Sequence, residues 1–128
     1  MLKLTAALIR ACEGCRTTAY WDKWAKVWTI GYGHTRGVVA GQVCTLAEAE
    51  AWLQDDLALL LPLVEGRHPV AAAALLSFGY NCGRAALVRL LRGEISLQNY
   101  GRRSGGVELP GLAARRDLEA ALIEAVEK

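Results

Sequence analysis

Apolar residues recur along this chain with two different periods, and the switches between them outline its elements. Leu4, Leu8, Cys12 and Cys15 fall at helical spacing, which predicts an amphipathic helix over the first dozen residues with those four on its buried face. Gly14 marks the end of that helix, since glycine readily takes the left-handed conformation of a helix stop. Over residues 17–35 Thr, Tyr, Trp, Val and Ile take over, as in strands, and a β-hairpin turning around residues 23–26 is expected. Gly31, Gly33, Gly37 and Gly41 then keep the chain irregular. Thr45-Leu46-Ala47-Glu48 is a capping box, in which hydroxyl and carboxylate satisfy backbone donors reciprocally. It opens a helix with the apolar stripe Leu46, Ala49, Leu53, Leu57, Leu60 and Val64, which Pro62 must kink or end. Helical runs follow over residues 69–80 and 84–91, and residues 101–110, rich in Gly and Arg, read as a loop. A last helix begins near Pro110 and carries Leu118, Leu122, Ala125 and Val126 on one face. There is no internal repeat, and the outline is α+β.

Composition narrows the function classes. The 128 residues suffice for one domain with its own core. A formal charge of +2 lacks the strongly basic face that nucleic acid would demand. No apolar run is long enough for a membrane span. Arg10 and Glu13 break the early apolar stretch before any cleavage site, so no signal peptide is read and the product is expected to stay in the cytoplasm of its producer. Cys12 and Cys15 have the spacing of a redox dithiol or half a zinc site. The βαβ context and the second close pair that those functions need are both missing. Buried free thiols, without metal or other cofactor, are the expected state of all four cysteines.

Cleaving a glycosidic bond takes a protonated carboxylic acid at the leaving oxygen and a second group that attacks or activates water. Glu13 at the end of the first helix and Asp22 on the first strand are candidates, with eight residues between them to let the chain turn back. Alone, two carboxylates at this spacing are better explained by a solvated surface.

The residues around them say more. Glu13-Gly14-Cys15-Arg16, Tyr20-Trp21-Asp22 and Trp28-Thr29-Ile30-Gly31-Tyr32-Gly33-His34-Thr35 resemble the signature of the phage-type lysozymes, glycoside hydrolase family 24. Residues 74–83, residues 105–112, Arg115-Arg116 and Glu119 continue the resemblance in order to about residue 125. It implies a lysozyme-like α+β fold: a small β lobe over about 16–40, packed on a helical lobe formed by 1–15 and 45–128. It implies an endolysin (muramidase) that hydrolyses peptidoglycan glycan strands with inversion, acting as a monomer and released by a holin.

By the same resemblance Glu13 is the acid, while Asp22 and Thr29 position the attacking water. Inversion would set the two carboxyl groups ~6.5–9.5 Å apart. Tyr20, Trp24, Tyr32, His34, Asn81, Arg115 and Arg116 are the candidate substrate-binding or supporting residues. His34 reads as an anchor of the small lobe and Trp24 as the best-placed sugar-stacking ring. One of the two arginines should lie beside Glu13, where its charge favours the ionised form while burial favours the protonated one.

The chain departs from the family in three places: the hairpin turn is one residue longer, it lacks the glycine common there, and the segment before Gly105 is shorter than usual, with Tyr100 where a Trp is frequent. Six residues separate Asp22 from Thr29, one more than usual, and a one-residue slip would turn Asp22 to the opposite face of the hairpin. The alternatives are therefore an inactive peptidoglycan-binding module and a lytic transglycosylase, which needs the acid but not the water-positioning pair.

Overall fold

The computed structural model describes residues 2–23, 25–104 and 106–127. Helix α1 (Leu2–Glu13) leads into the hairpin β1 (Arg16–Asp22) and β2 (Val27–Gly31). After an irregular stretch come α2 (Leu46–Ala58), a 3-10 turn (Leu61–Val64), α3 (Pro69–Cys82) and α4 (Arg84–Leu91). A two-residue-per-strand ribbon, β3 (Arg103–Ser104) and β4 (Val107–Glu108), precedes α5 (Pro110–Val126). The fold is α+β, as the residue pattern implied. Residues 101–110 hold this ribbon where a plain loop was expected.

Helix α3 is the centre. Every residue from Ala71 to Gly79 is buried, so it has no solvent face, as befits a helix apolar all round. Ile9, Leu53, Leu57, Val64 and Leu87 pack with its own Leu76 and Phe78, all fully buried. At Gly79 a side-chain carbon would lie 2.8 Å from Leu87 Cδ2, so only glycine lets α4 pack this closely.

The capping box forms as expected: Glu48 N donates to Thr45 Oγ1 at 3.1 Å and Thr45 N to Glu48 Oε1 at 3.0 Å. Helix α2 stops before Pro62, whose ring is accommodated in the 3-10 turn. Its stripe is buried from Ala49 to Val64, but Leu46 is exposed, because the first turn projects past the core.

Three expectations about buried faces are corrected. Helix α1 buries Thr5, Ala6 and Ile9, whereas Leu4 and Cys12 are exposed and Leu8 and Cys15 only partly covered. The free cysteines are not buried; Cys12 is exposed and the other three are intermediate. Helix α5 buries Arg115, Arg116 and Glu119, while Leu118 and Ala125 are exposed. Hydrophobicity misled here because the residues that face α3 are charged and neutralise one another. Among the described residues no helix is long and apolar enough to cross a membrane.

Candidate active site

Helix α1 ends where it must for its last residue to act. Gly14 N caps Arg10 O at 3.1 Å with φ +66, a conformation that costs a side-chain-bearing residue, and the chain swings into β1. Glu13 is thereby left on the last turn, partly buried.

The hairpin answers the register question. Tyr20 pairs with Thr29 and Asp22 with Val27. Residues at positions i and i+2 share a face, so Tyr20, Asp22, Val27 and Thr29 lie together. The additional residue is taken up in the turn: Ala25 N donates to Asp22 Oδ1 at 3.0 Å, Lys26 N donates to Asp22 O at 2.6 Å, and Lys26 adopts a left-handed φ of 58. Asp22 is not flipped. Thr29 is buried, and its hydroxyl donates to Val27 O at 3.4 Å.

Glu13, Asp22 and Thr29 line one cleft of about 350 Å³, together with Tyr20, Gly33, Tyr80 and Asn81. Two further grooves open from it. One, of about 610 Å³, runs from Asp22 past Tyr100 to Arg103; the other, of about 510 Å³, runs from Glu13 between α1 and α5. Asn81 lines all three. Its Oδ1 accepts from Arg116 Nη1 at 2.8 Å, which leaves the amide NH₂ to face the groove as a donor.

Behind Glu13 stands a buried ionic network. Arg115 Nη1 donates to Glu13 Oε1 at 2.8 Å. Arg116 does not reach Glu13; it forks onto Glu119 at 2.6 and 2.9 Å and lies over the Phe78 ring at 5.0 Å. Two guanidinium cations thus meet two carboxylates, and only this pairing makes their burial tolerable. At Gly101, with φ +74, a side-chain carbon would come within 2.8 Å of Arg116 Nη1, so glycine is required there.

The tyrosines are held as neutral donors. Burial, and secondarily the charges of Asp22 and Glu13, push the Tyr20 phenol up from its ordinary pKa. Burial does the same to Tyr80, whose hydroxyl donates to Tyr32 O at 2.6 Å. Burial also raises the Cys82 thiol, against the pull of Arg116, which keeps it a poor nucleophile at neutral pH.

Other candidates fall elsewhere. His34 Nδ1 donates to Asp56 Oδ2 at 2.8 Å, and its ring stacks on Trp52 at 4.8 Å, tying the irregular stretch to α2 away from the cleft. The Tyr32 phenol interacts with Arg10, Cys15 and Glu50 rather than with the cleft. Trp24 lies outside the described residues. Among the exposed aromatics Trp21 projects from the opposite face of the hairpin, edge-on to Trp28 at 5.6 Å between ring centroids.

Sequence reasoning did not select Tyr80, Ser77 or Glu119 for the site. Ser77 had a signal: it is the single hydroxyl in an otherwise apolar run from Ala71 to Phe78.

The chain is similar in sequence and fold to known proteins. Residues 10–119 match the profile of the Phage lysozyme family. The endolysin of Acyrthosiphon pisum secondary endosymbiont phage 1 is 32% identical over 136 aligned positions, covering 91% of this chain and 92% of that protein. The endolysin of Lactococcus phage c2 is 36% identical over 125 positions, covering 88% of this chain; the chain spans about half, 54%, of that longer protein. Among solved structures, the muramidase domain of SpmX from Asticaccaulis excentricus superposes with a TM-score of 0.72 at 28% identity, covering 93% of each chain. An endolysin from Escherichia coli O157:H7 phage FAHEc1 gives 0.74 at 26% identity, covering 94% of this chain and 90% of that one. The active form of the P1 phage endolysin Lyz gives 0.79 at 24% identity over 98% of this chain and 85% of that one, a likeness of fold.

Proposed function

The chain belongs to the phage lysozyme family, and from that premise we propose that it hydrolyses the β-1,4 bond between N-acetylmuramic acid and N-acetylglucosamine in peptidoglycan, with inversion. The observation that carries this reading is that Glu13, Asp22 and Thr29 line a single cleft although they come from a helix end and two strands. Two larger grooves adjoin it, giving the extended surface that a polymeric substrate needs.

In this reading Glu13 gives its proton to the leaving oxygen. Asp22 takes a proton from a water that the Thr29 hydroxyl helps to orient, and that water attacks the anomeric carbon from the opposite face. The Glu13 proton leaves with the new hydroxyl, the water proton arrives on Asp22, and both groups exchange with solvent before the next turnover. Tyr20 and the Asn81 amide donate to the sugar. Arg115 steadies the Glu13 carboxylate after it has lost its proton.

Glu13→Gln is the test. It keeps the oxygen that accepts from Arg115 and removes only the acid, so the fold should persist while release of reducing sugar from purified peptidoglycan falls ~10³-fold or more. Undiminished release would overturn the acid assignment. The anomer first formed, read by proton NMR, tests inversion, and 1,6-anhydro product ends would instead identify a transglycosylase.

A further inference from the structure

We propose that Ser77 is the positioning residue that aims Arg115 at the Glu13 carboxylate. This rests on the reading of Glu13 as the acid. The serine sits fully buried on α3 and does not itself line the cleft. Its hydroxyl does two things at once: it donates to Glu119 Oε2 at 2.6 Å and accepts from Arg115 Nε at 3.2 Å. Its backbone carbonyl accepts from Arg115 Nη2 at 3.1 Å. The remaining nitrogen, Nη1, is the one that donates to Glu13 Oε1 at 2.8 Å.

A guanidinium is a rigid planar fork, so fixing Nε and Nη2 fixes where Nη1 points. Glu119 alone does not do this, because its Oε2 stands 3.6 Å from Arg115 Nε, beyond a good hydrogen bond, and both its oxygens are engaged by Arg116. The serine hydroxyl fills that gap. Its donor and acceptor roles are determined too: Glu119 can only accept and Arg115 can only donate, so the hydroxyl proton must lie on the Glu119 side. The result is a one-way relay from the charge pair Arg116–Glu119, through Ser77, to the arginine that touches the acid.

The relay explains why a hydroxyl stands in the middle of the most apolar helix of the molecule. A buried hydroxyl that made no specific contribution would be better replaced by alanine, since its desolvation is only just offset by its hydrogen bonds.

The experiment is a kinetic and spectroscopic double-mutant cycle on the full chain. Ser77→Ala and Ser77→Cys should each lower kcat on purified peptidoglycan ~10–100-fold with KM little changed, the cost of roughly 1 Å of misplacement. Ser77→Thr should recover most of it. In an Arg115→Met background, Ser77→Cys should cost nothing further, because the group that it positions is gone. In ¹⁵N-edited NMR the Arg115 Nε–H should give a resolved, slowly exchanging signal in the native chain and in Ser77→Thr, and lose it in Ser77→Cys. A fall in melting temperature with kcat and the Nε–H signal intact would make Ser77 merely structural and overturn the proposal, as would multiplying losses in the Arg115→Met background. The cysteine variant, nearly isosteric, serves if alanine fails to fold, and the NMR readout is independent of whether Glu13 is the acid.

Discussion

A side-chain carbon at Gly33 would stand 3.2 Å from Oε2 of Glu13. The two residues meet because the β2 strand turns back on itself: Ile30 and His34 exchange both backbone hydrogen bonds at 2.9 Å, which brings Gly33 with φ +94 over the end of α1. Glu13 is thus held between the backbone of the small lobe on one side and Arg115 on the other.

Gly33→Ala should therefore harm activity more than stability. The left-handed φ costs alanine ~1–2 kcal/mol, a modest loss in a urea melt. The added methyl presses on the carboxylate, and kcat on peptidoglycan should fall ~10–100-fold. An alanine variant as active as the native chain would show that the carboxylate needs no such confinement.

Arg116→Met should destabilise far more than a surface change. It leaves Glu119 buried with one guanidinium partner fewer, a loss of about 3–5 kcal/mol. Arg103→Met, at an exposed position, should stay within ~0.5 kcal/mol. Chemical denaturation of the two variants beside the native chain checks both values.

Stability should decline on the alkaline side, and the sign follows from burial. The Cys82 thiol and the Tyr80 phenol both hold their protons more tightly in the folded chain than in the unfolded one. The unfolded state then binds fewer protons, so unfolding free energy falls as pH rises above the ordinary thiol range of ~8.5 and steepens past the ordinary phenol range of ~10. Below those values their contribution is fully present. Tyr80→Phe should cost ~0.5–1.5 kcal/mol at neutral pH through the lost bond to Tyr32 O, yet flatten the decline above pH ~10. Parallel pH–stability curves for the two proteins would refute the Tyr80 contribution.

His34→Ala should act through stability. It removes the bond to Asp56 and the stacking on Trp52, together worth ~1–3 kcal/mol, without touching the cleft. Assayed well below its melting temperature, the variant should keep kcat within about threefold of the native value, in contrast to the ~10³-fold loss of Glu13→Gln. A kcat loss approaching that of Glu13→Gln would move His34 into the chemistry.

The elements were legible wherever a local rule governs them. Thr45 and Glu48 cap α2 through groups three residues apart, Gly14 stops α1, and Pro62 and Pro110 stand where a missing N–H does least harm. The hairpin was legible from its strand-forming residues. What could not be read was which side of a helix meets its neighbour when that side is charged. Leu118 and Leu122 are more apolar than Arg115, Arg116 and Glu119, and a hydropathy argument has no means of counting a charge met by a carboxylate 102 positions away, or a buried guanidinium whose neutral hydrogen-bond partner lies 35 positions away.

The amino-acid order by itself determined the α+β outline, the family, and the three side chains proposed for the chemistry, because short-range backbone preferences and a contiguous motif carry that information. Only the folded chain decided that Asp22 keeps its face despite the longer turn, that Arg115 and not Arg116 meets Glu13, that the Tyr32 phenol points away from the cleft, and that Ser77 joins the ionic network. Each of these depends on the distance between atoms of different elements, and such distances are set by how the helices pack and where a turn absorbs its extra residue.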